Sequence, residues 1–186
     1  KHEIKTQNVI VDLANYVMFE LGLPIHTYDN DMIDGNISVH AGDASLVGNS
    51  FVALDGNEYP YSDECIVVRD DTKVISLAAV MGSDATKITD STTAVLMEIG
   101  VFDPILVRKT AAKMLSKKTD ASIRGEKNVD YKQINNVFKN LKSLKFPENV
   151  LGFQLNPYKN SKTDQLKVEF RESQKKNLKM LAKVRS

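Results

Sequence analysis

A chain of 186 residues, 42% hydrophobic and 26% charged, has an ordinary globular composition and enough length to bury a core without staples. Its single cysteine precludes an intramolecular disulfide, and no apolar run approaches the length of a membrane span. With no secretory signal at its start, the expected compartment is the reducing cytoplasm. The net charge of +1 conceals an asymmetry, since residues 1–104 carry a net −12 and residues 105–186 a net +13. A basic half suits a polyanion such as RNA, with salt-sensitive affinity; lysines spread over solvated helix faces are the alternative.

The first element is a helix over 8–21, where Val9, Ile10, Leu13, Val17 and Leu21 recur at spacings of three and four. Gly22 and Pro24 end it. Residues 23–35 read as a polar connection. Short β-branched runs follow at 37–41, 51–54, 65–68, 74–81 and 94–99, bounded by turn residues such as Asp55-Gly56. The run 74–81 is apolar nearly throughout, which predicts a central strand covered on both faces. Cys65 opens the apolar run 65–68 and reads as a buried structural thiol.

Asp103 is a suitable N-cap with Pro104 at the first helical position, so a second helix starts there. Residues 116–130 are polar and read as irregular. A further helix is expected over 131–144, with Ile134, Val137, Phe138 and Leu141 on one face. Residues 145–165 resemble a linker, and a strand at 166–170 and a basic helix at 172–184 close the chain. No internal repeat is present. Strands grouped between helices argue for an α+β fold, a multi-stranded and mostly antiparallel sheet sandwich with flanking helices. The expected boundary separates 1–145 from 146–186, with the second part either completing the domain or starting the next.

No GxGxxG, P-loop lysine motif, HExxH or GxSxG occurs. His2, His26 and His40 lack metal-type spacing to one another or to Cys65. With 24 acidic residues, paired-carboxylate chemistry stays open. Composition and periodicity stop at a soluble α+β domain.

Five blocks carry the reading further. ANYVMFELGLPIH (14–26) resembles the TNYVMLELGQPLH stretch of bacterial phenylalanyl-tRNA synthetase β chains, where AFD-type residues follow the histidine; here they are Thr27-Tyr28-Asp29. LDGNE (54–58) resembles that family's LDG-x-E turn, and LAAVMGS (77–83) its LAGIMGG. LMEIGVFDP (96–104) resembles LESAxFxP, and TDASIRGEKNVD (119–130) resembles TDASxRFERGVD. The blocks keep the family's order over roughly residues 7–135. The chain opens directly on the first block, so the expectation is a piece of a longer β chain.

The resemblance implies an α+β editing unit that removes tyrosine from mischarged phenylalanine tRNA. The need for one is physical: a pocket shaped for phenylalanine rejects an added hydroxyl by only about 10². A second site that hydrogen-bonds that hydroxyl discriminates by about 10⁴–10⁵. The resemblance further implies an α subunit as partner, in an assembly of two α and two β chains, with the phenylalanine tRNA as the other partner and no membrane. It implies no metal and no cofactor for the domain itself; ATP and Mg belong to the parent enzyme.

By the same resemblance, Glu98 recognises the tyrosine hydroxyl, with Ala79 and Ala14 also in the substrate pocket. Asn15 and His26 are the catalytic candidates, His26 binding substrate or orienting water. A solvated strand glutamate, a packing amide and a structural imidazole are the respective alternatives. Lys109, Lys113 and Arg124, with Lys117 and Lys118, are candidates for the tRNA backbone. Ala79 and Ser83 stand where the family has glycine, and Ala14 where it has threonine. Gly125, Lys127 and Asn128 also depart. These changes motivate a second reading, an editing-inactive module that packs the β chain and positions tRNA. A stand-alone nucleic-acid-binding domain is a third.

Overall fold

In the computed structural model, residues 8–127, 133–134, 136, 153–160, 163–170 and 179–185 are described, the last three segments as backbone only. Helix α1 spans Val9–Leu21. Asn8 caps it, its side-chain oxygen accepting from the N–H groups of Ile10 (3.1 Å) and Val11 (3.0 Å). Gly22 ends it at φ 72°, a left-handed conformation that favours glycine, and donates its N–H to the Met18 carbonyl.

Ile25–Asp29 is strand β1, within the stretch expected to be a polar connection. Its letters, IHTYD, hide a buried strand, since Thr27, Tyr28 and Asp29 are all enclosed. Strands β2 (Ser38–Ala41), β3 (Ser50–Val52), β4 (Glu58–Pro60), β5 (Ile66–Arg69), β6 (Val74–Leu77), β7 (Met81–Gly82) and β8 (Ala94–Gly100) follow. β1 and β8 pair antiparallel, with His26 opposite Glu98. A second sheet has the order β2-β5-β6-β7, and β3 and β4 form a hairpin around Asp55-Gly56.

The apolar run 74–81 is not one strand. It turns at 78–80, where the Val80 N–H closes onto the Leu77 carbonyl at 2.9 Å. The turn is buried, so it is built from Ala-Ala-Val and carries no polar signal. Its cost falls on Ala79, at φ 55°, a left-handed conformation that is unfavourable for any residue with a Cβ by roughly 1–2 kcal/mol.

The β2-β5-β6-β7 sheet is covered on both faces. Val67 and Leu77 pack on one side with Val107, Ala111, Met114 and Leu115. Ile66, Val68 and Ile75 pack on the other with Tyr28 and Leu96 of the β1–β8 sheet. Helix α2 (Pro104–Thr110) begins on its Asp103 cap and passes into a π-helical turn, Ala111–Leu115. Buried Thr110 ties it to the sheet: its Oγ1 accepts from the Ile66 N–H at 2.9 Å and donates to the Leu106 carbonyl at 2.8 Å. Cys65 is buried, and burial pushes its thiol pKa up.

Part of the stretch 116–130, expected to be irregular, is helix α3 (Asp120–Gly125), started by a capping box between Thr119 and Ser122. Of the helix expected over 131–144, Gln133, Ile134 and Asn136 are helical and the remainder lies outside the described residues. Strand β9 (Phe153–Asn160) falls within the expected linker and pairs antiparallel with β10 (Thr163–Phe170). The expected basic helix is contradicted at Lys179–Arg185, which is strand β11, parallel to β8. Its apolar Met180, Ala182 and Val184 alternate with Lys179, Leu181, Lys183 and Arg185, a near period of two broken at Leu181 that suits a strand.

One turn shows how the strand ends are fixed. Asp70 is 2% exposed. Its carboxylate accepts the N–H groups of Asp34 (3.0 Å), Thr72 (2.8 Å) and Lys73 (2.7 Å), and the Lys73 ammonium at 2.9 Å. Burial alone would raise its pKa; these donors overturn that and hold it well below its ordinary 3.8. A carboxylate depressed in the folded state contributes stability above its unfolded value, which is lost as pH falls through the folded one. Asp70→Asn is expected to cost about 2 kcal/mol at neutral pH in urea denaturation. The gap to the unsubstituted protein should narrow below about pH 4.

Candidate functional site

A cavity of about 340 Å³ opens between α1, β1, the β6–β7 turn, β8 and the start of α3. Asn15, His26, Ala79 and Glu98 all line it. A neighbouring cavity of about 290 Å³ shares Asn15, Ile25, His26 and Leu54 and adds Ala14. The structure therefore gathers Ala14, Asn15, His26, Ala79 and Glu98 around one pair of adjoining spaces.

Their positions follow from the elements beneath them. Asn15 projects from the partly open flank of α1, while Ala14, Val17 and Met18 are buried. His26 and Glu98 are direct cross-strand partners, which puts both side chains on one face of the β1–β8 sheet. Neither Asn15 nor His26 makes a side-chain hydrogen bond among the described residues, so both keep that capacity for whatever enters.

The His26 ring meets the Tyr28 ring edge to face, centroids 4.5 Å apart. Burial pushes its pKa down to about 4, so the imidazole is neutral near pH 7 and its unprotonated ring nitrogen can accept a hydrogen bond. The ring lies close against Gly82: a Cβ there would sit 2.3 Å from His26 Cε1 and 2.4 Å from Nε2.

Glu98 is held from within the protein. The Tyr28 hydroxyl donates to Glu98 Oε2 and is 2.8 Å from Ser76 Oγ. Tyr28 has one hydroxyl proton and gives it to Glu98, so the serine must be the donor in the second bond. The relay runs serine to phenol to carboxylate. Burial, and then the charge of Glu98, push the Tyr28 pKa well up, so the phenol keeps its proton. Neither Tyr28 nor Ser76 was among the candidates from sequence. A hydroxyl in the otherwise apolar run 74–81 was the available signal, because a buried hydroxyl needs a partner.

Two of the substitutions at glycine positions have distinct accommodations. Ser83, at φ −82°, has ordinary backbone and caps the following turn by accepting from the Ala85 N–H at 3.2 Å. Ala79 keeps the left-handed backbone that glycine prefers, and its methyl faces Gly125; a Cβ at 125 would sit 2.9 Å from it. The pair exchanges volume, the methyl at 79 using space that a side chain at 125 would need.

The basic candidates lie apart from this wall. Lys109 and Lys113 both pair with Glu64, each at 2.8 Å. Arg124 lies 4.1 Å over the Phe19 ring and bonds Asp120. Lys117 pairs with Asp55 and Lys118 with Glu126. Among the described residues, no group of three or more His, Cys, Asp or Glu is placed to hold a metal ion, and no helix is long and apolar enough to cross a membrane.

The family model for the B3/4 domain matches residues 1–144. This chain belongs to the B3/4 domain family. It is similar to phenylalanine–tRNA ligase β subunits: 39% identical over 134 residues to that of Protochlamydia amoebophila, and 41% over 135 residues to that of Carboxydothermus hydrogenoformans. Each match covers 72% of this chain and 16% of the relative. The β subunit of Aquifex aeolicus is 35% identical over 131 residues, covering 70% of this chain and 16% of the relative. These relatives identify the chain as a B3/4 domain of the phenylalanine–tRNA ligase β-subunit type.

The tight wall at Gly82 makes one outcome specific. Gly82→Ala should force the His26 ring and the Leu54 side chain, 2.8 Å from the added carbon, out of place. The overpacking is expected to cost about 1–3 kcal/mol. A thermal melt should show a fall of several degrees in Tm.

Proposed function

We propose that this B3/4 domain is the editing site of a phenylalanine–tRNA ligase, hydrolysing the ester of tyrosine wrongly joined to the phenylalanine tRNA. The observation that carries the reading is Glu98. It is a carboxylate on the wall of a cavity, already accepting one phenol hydroxyl, that of Tyr28. A site that holds a phenol in this way has the chemistry to hold a second from a ligand, and a charge-assisted bond to it is strong. Phenylalanine brings no hydroxyl to that acceptor and gains no such bond.

The reaction is addition of water to the ester carbonyl. The water oxygen bonds to the carbonyl carbon, the bond to the ribose oxygen breaks, and the ribose oxygen takes the proton. The ester is already activated, so placing a water and stabilising the oxyanion supply most of what is needed. Asn15, with an amide donor on the cavity, serves the developing oxyanion. Neutral His26 accepts a hydrogen bond from the water and orients it, and a hydroxyl of the terminal ribose assists transfer of the proton to the leaving ribose oxygen. In this reading the domain needs no metal or cofactor, ATP and Mg serving synthesis elsewhere in the parent enzyme. Its partners are the phenylalanine tRNA and the α subunit, in an assembly of two α and two β chains in the cytoplasm. Lys109, Lys113 and Arg124 meet the tRNA backbone, the lysines exchanging Glu64 for phosphate.

The second reading, an inactive module that packs the β chain and positions tRNA, draws on Ala79, which lines the cavity at a glycine-like φ. The open space at Gly125 favours the active reading, because it receives that methyl.

Deacylation of tyrosyl-tRNA(Phe) by the assembled synthetase decides between them. Glu98→Ala is expected to reduce tyrosine release by at least about 10² and to leave phenylalanyl-tRNA(Phe) at background. Equal background rates with and without the substitution would establish the inactive module.

A further inference from the structure

We propose that Tyr28 is a positioning residue for selectivity: its hydroxyl, fixed by Ser76, sets the orientation in which Glu98 receives a hydroxyl-bearing ligand. The proposal rests on the editing reading of the cavity and adds to it the group that makes its acceptor rigid.

The geometry carries it. Tyr28 is fully buried on β1, and its ring is locked by the packing of Ile66, Val68, Ile75, Ala78 and Leu96. Its hydroxyl therefore has a fixed place, between Ser76 Oγ on β6 and Glu98 Oε2 on β8. Ser76 is itself buried and sits between Val68 and Gly82 in the second sheet. A glutamate side chain has three rotatable bonds and loses much rotamer freedom when held. Here that cost is met during folding by a donor belonging to neither ligand nor solvent. A carboxylate offers about four acceptor positions, so a bond to Tyr28 does not bar a second donor. The ligand then meets an acceptor already aimed, which favours affinity without new contacts.

The chemistry also sets the direction of failure. Tyr28→Phe keeps the buried ring and removes one oxygen, and Ser76→Ala removes the donor that fixes the phenol. The hydroxyl of a bound tyrosine is held both before and during hydrolysis. Loss of its pre-aimed acceptor therefore weakens ground state and transition state together, raising KM with little change in kcat.

The test is the deacylation of tyrosyl- and phenylalanyl-tRNA(Phe) by the assembled synthetase, comparing the unsubstituted enzyme with Tyr28→Phe, Ser76→Ala and Glu98→Ala. Tyr28→Phe should lower the tyrosine-over-phenylalanine ratio of kcat/KM about three- to tenfold, through KM. Ser76→Ala should act in the same direction with a smaller effect. Tyr28→Phe at the full ratio, with Glu98→Ala abolishing tyrosine release, would overturn the positioning role and leave the editing function standing. A higher ratio in Tyr28→Phe would overturn it as well, showing that the internal phenol competes with the ligand. An equal loss on both substrates would reduce Tyr28 to a packing residue. Background rates in every variant and in the unsubstituted enzyme would remove the editing reading itself, and the proposal with it.

Discussion

A buried phenol has one proton to give and cannot leave it unmatched without cost. In this protein Tyr28 gives it to Glu98 and takes one in return from Ser76. That relay joins the β1–β8 sheet to the β2-β5-β6-β7 sheet through their shared apolar layer, so it fixes the spacing of the sheets and the pose of the carboxylate at once. Around it the cavity wall is assembled from elements that each have their own reason to be where they are. Capped α1 brings Asn15, the His26–Glu98 pairing brings the imidazole beside the carboxylate, and the buried turn at 78–80 closes the far side.

The wall is built at close tolerance. Gly82 has no Cβ because the His26 ring fills that space, and Gly125 has none because the Ala79 methyl does. Ala79 in turn sits in a conformation that suits glycine. Such a residue persists where the surroundings determine it more strongly than its own preference does, here the closed β6–β7 hairpin. The chemistry proposed for the cavity is consistent with this economy. The walls supply position and polar groups, and neither covalent catalysis nor a strongly shifted nucleophile is called on.

Much of the fold was legible because its signals are local. Asn8, Gly22, Asp103 and Pro104 mark helix ends by satisfying or surrendering specific N–H groups, and the β-branched runs mark strands by period. What was not legible depends on partners distant in sequence. β1 reads as polar because it carries His, Thr, Tyr and Asp, while the partners that settle Tyr28 and Asp29 (Ser76, Glu98 and Thr92) lie far away in sequence. The turn at 78–80 reads as strand because burial has stripped it of turn residues. The parallel pairing of β11 with β8 overrides the helical preference of a lysine-rich stretch. The site divides the same way. No spacing in the chain joins Asn15, His26, Ala79 and Glu98; family resemblance named them, and the fold brought them to one cavity. Tyr28 and Ser76 had only weak signals, a tyrosine at a phenylalanine-type position and a lone hydroxyl in an apolar run.

In the function proposed for this cavity, Glu98, held by Tyr28, is the acceptor for a ligand phenol. A crystal structure of the protein with a non-hydrolysable tyrosyl-adenosine amide tests it most directly. The ligand phenol oxygen is expected within about 3 Å of the Glu98 carboxylate, with the Tyr28 bond retained and the amide carbonyl turned toward Asn15 and His26. A ligand bound with its phenol at the cavity mouth, or seated away from Glu98 altogether, would contradict it.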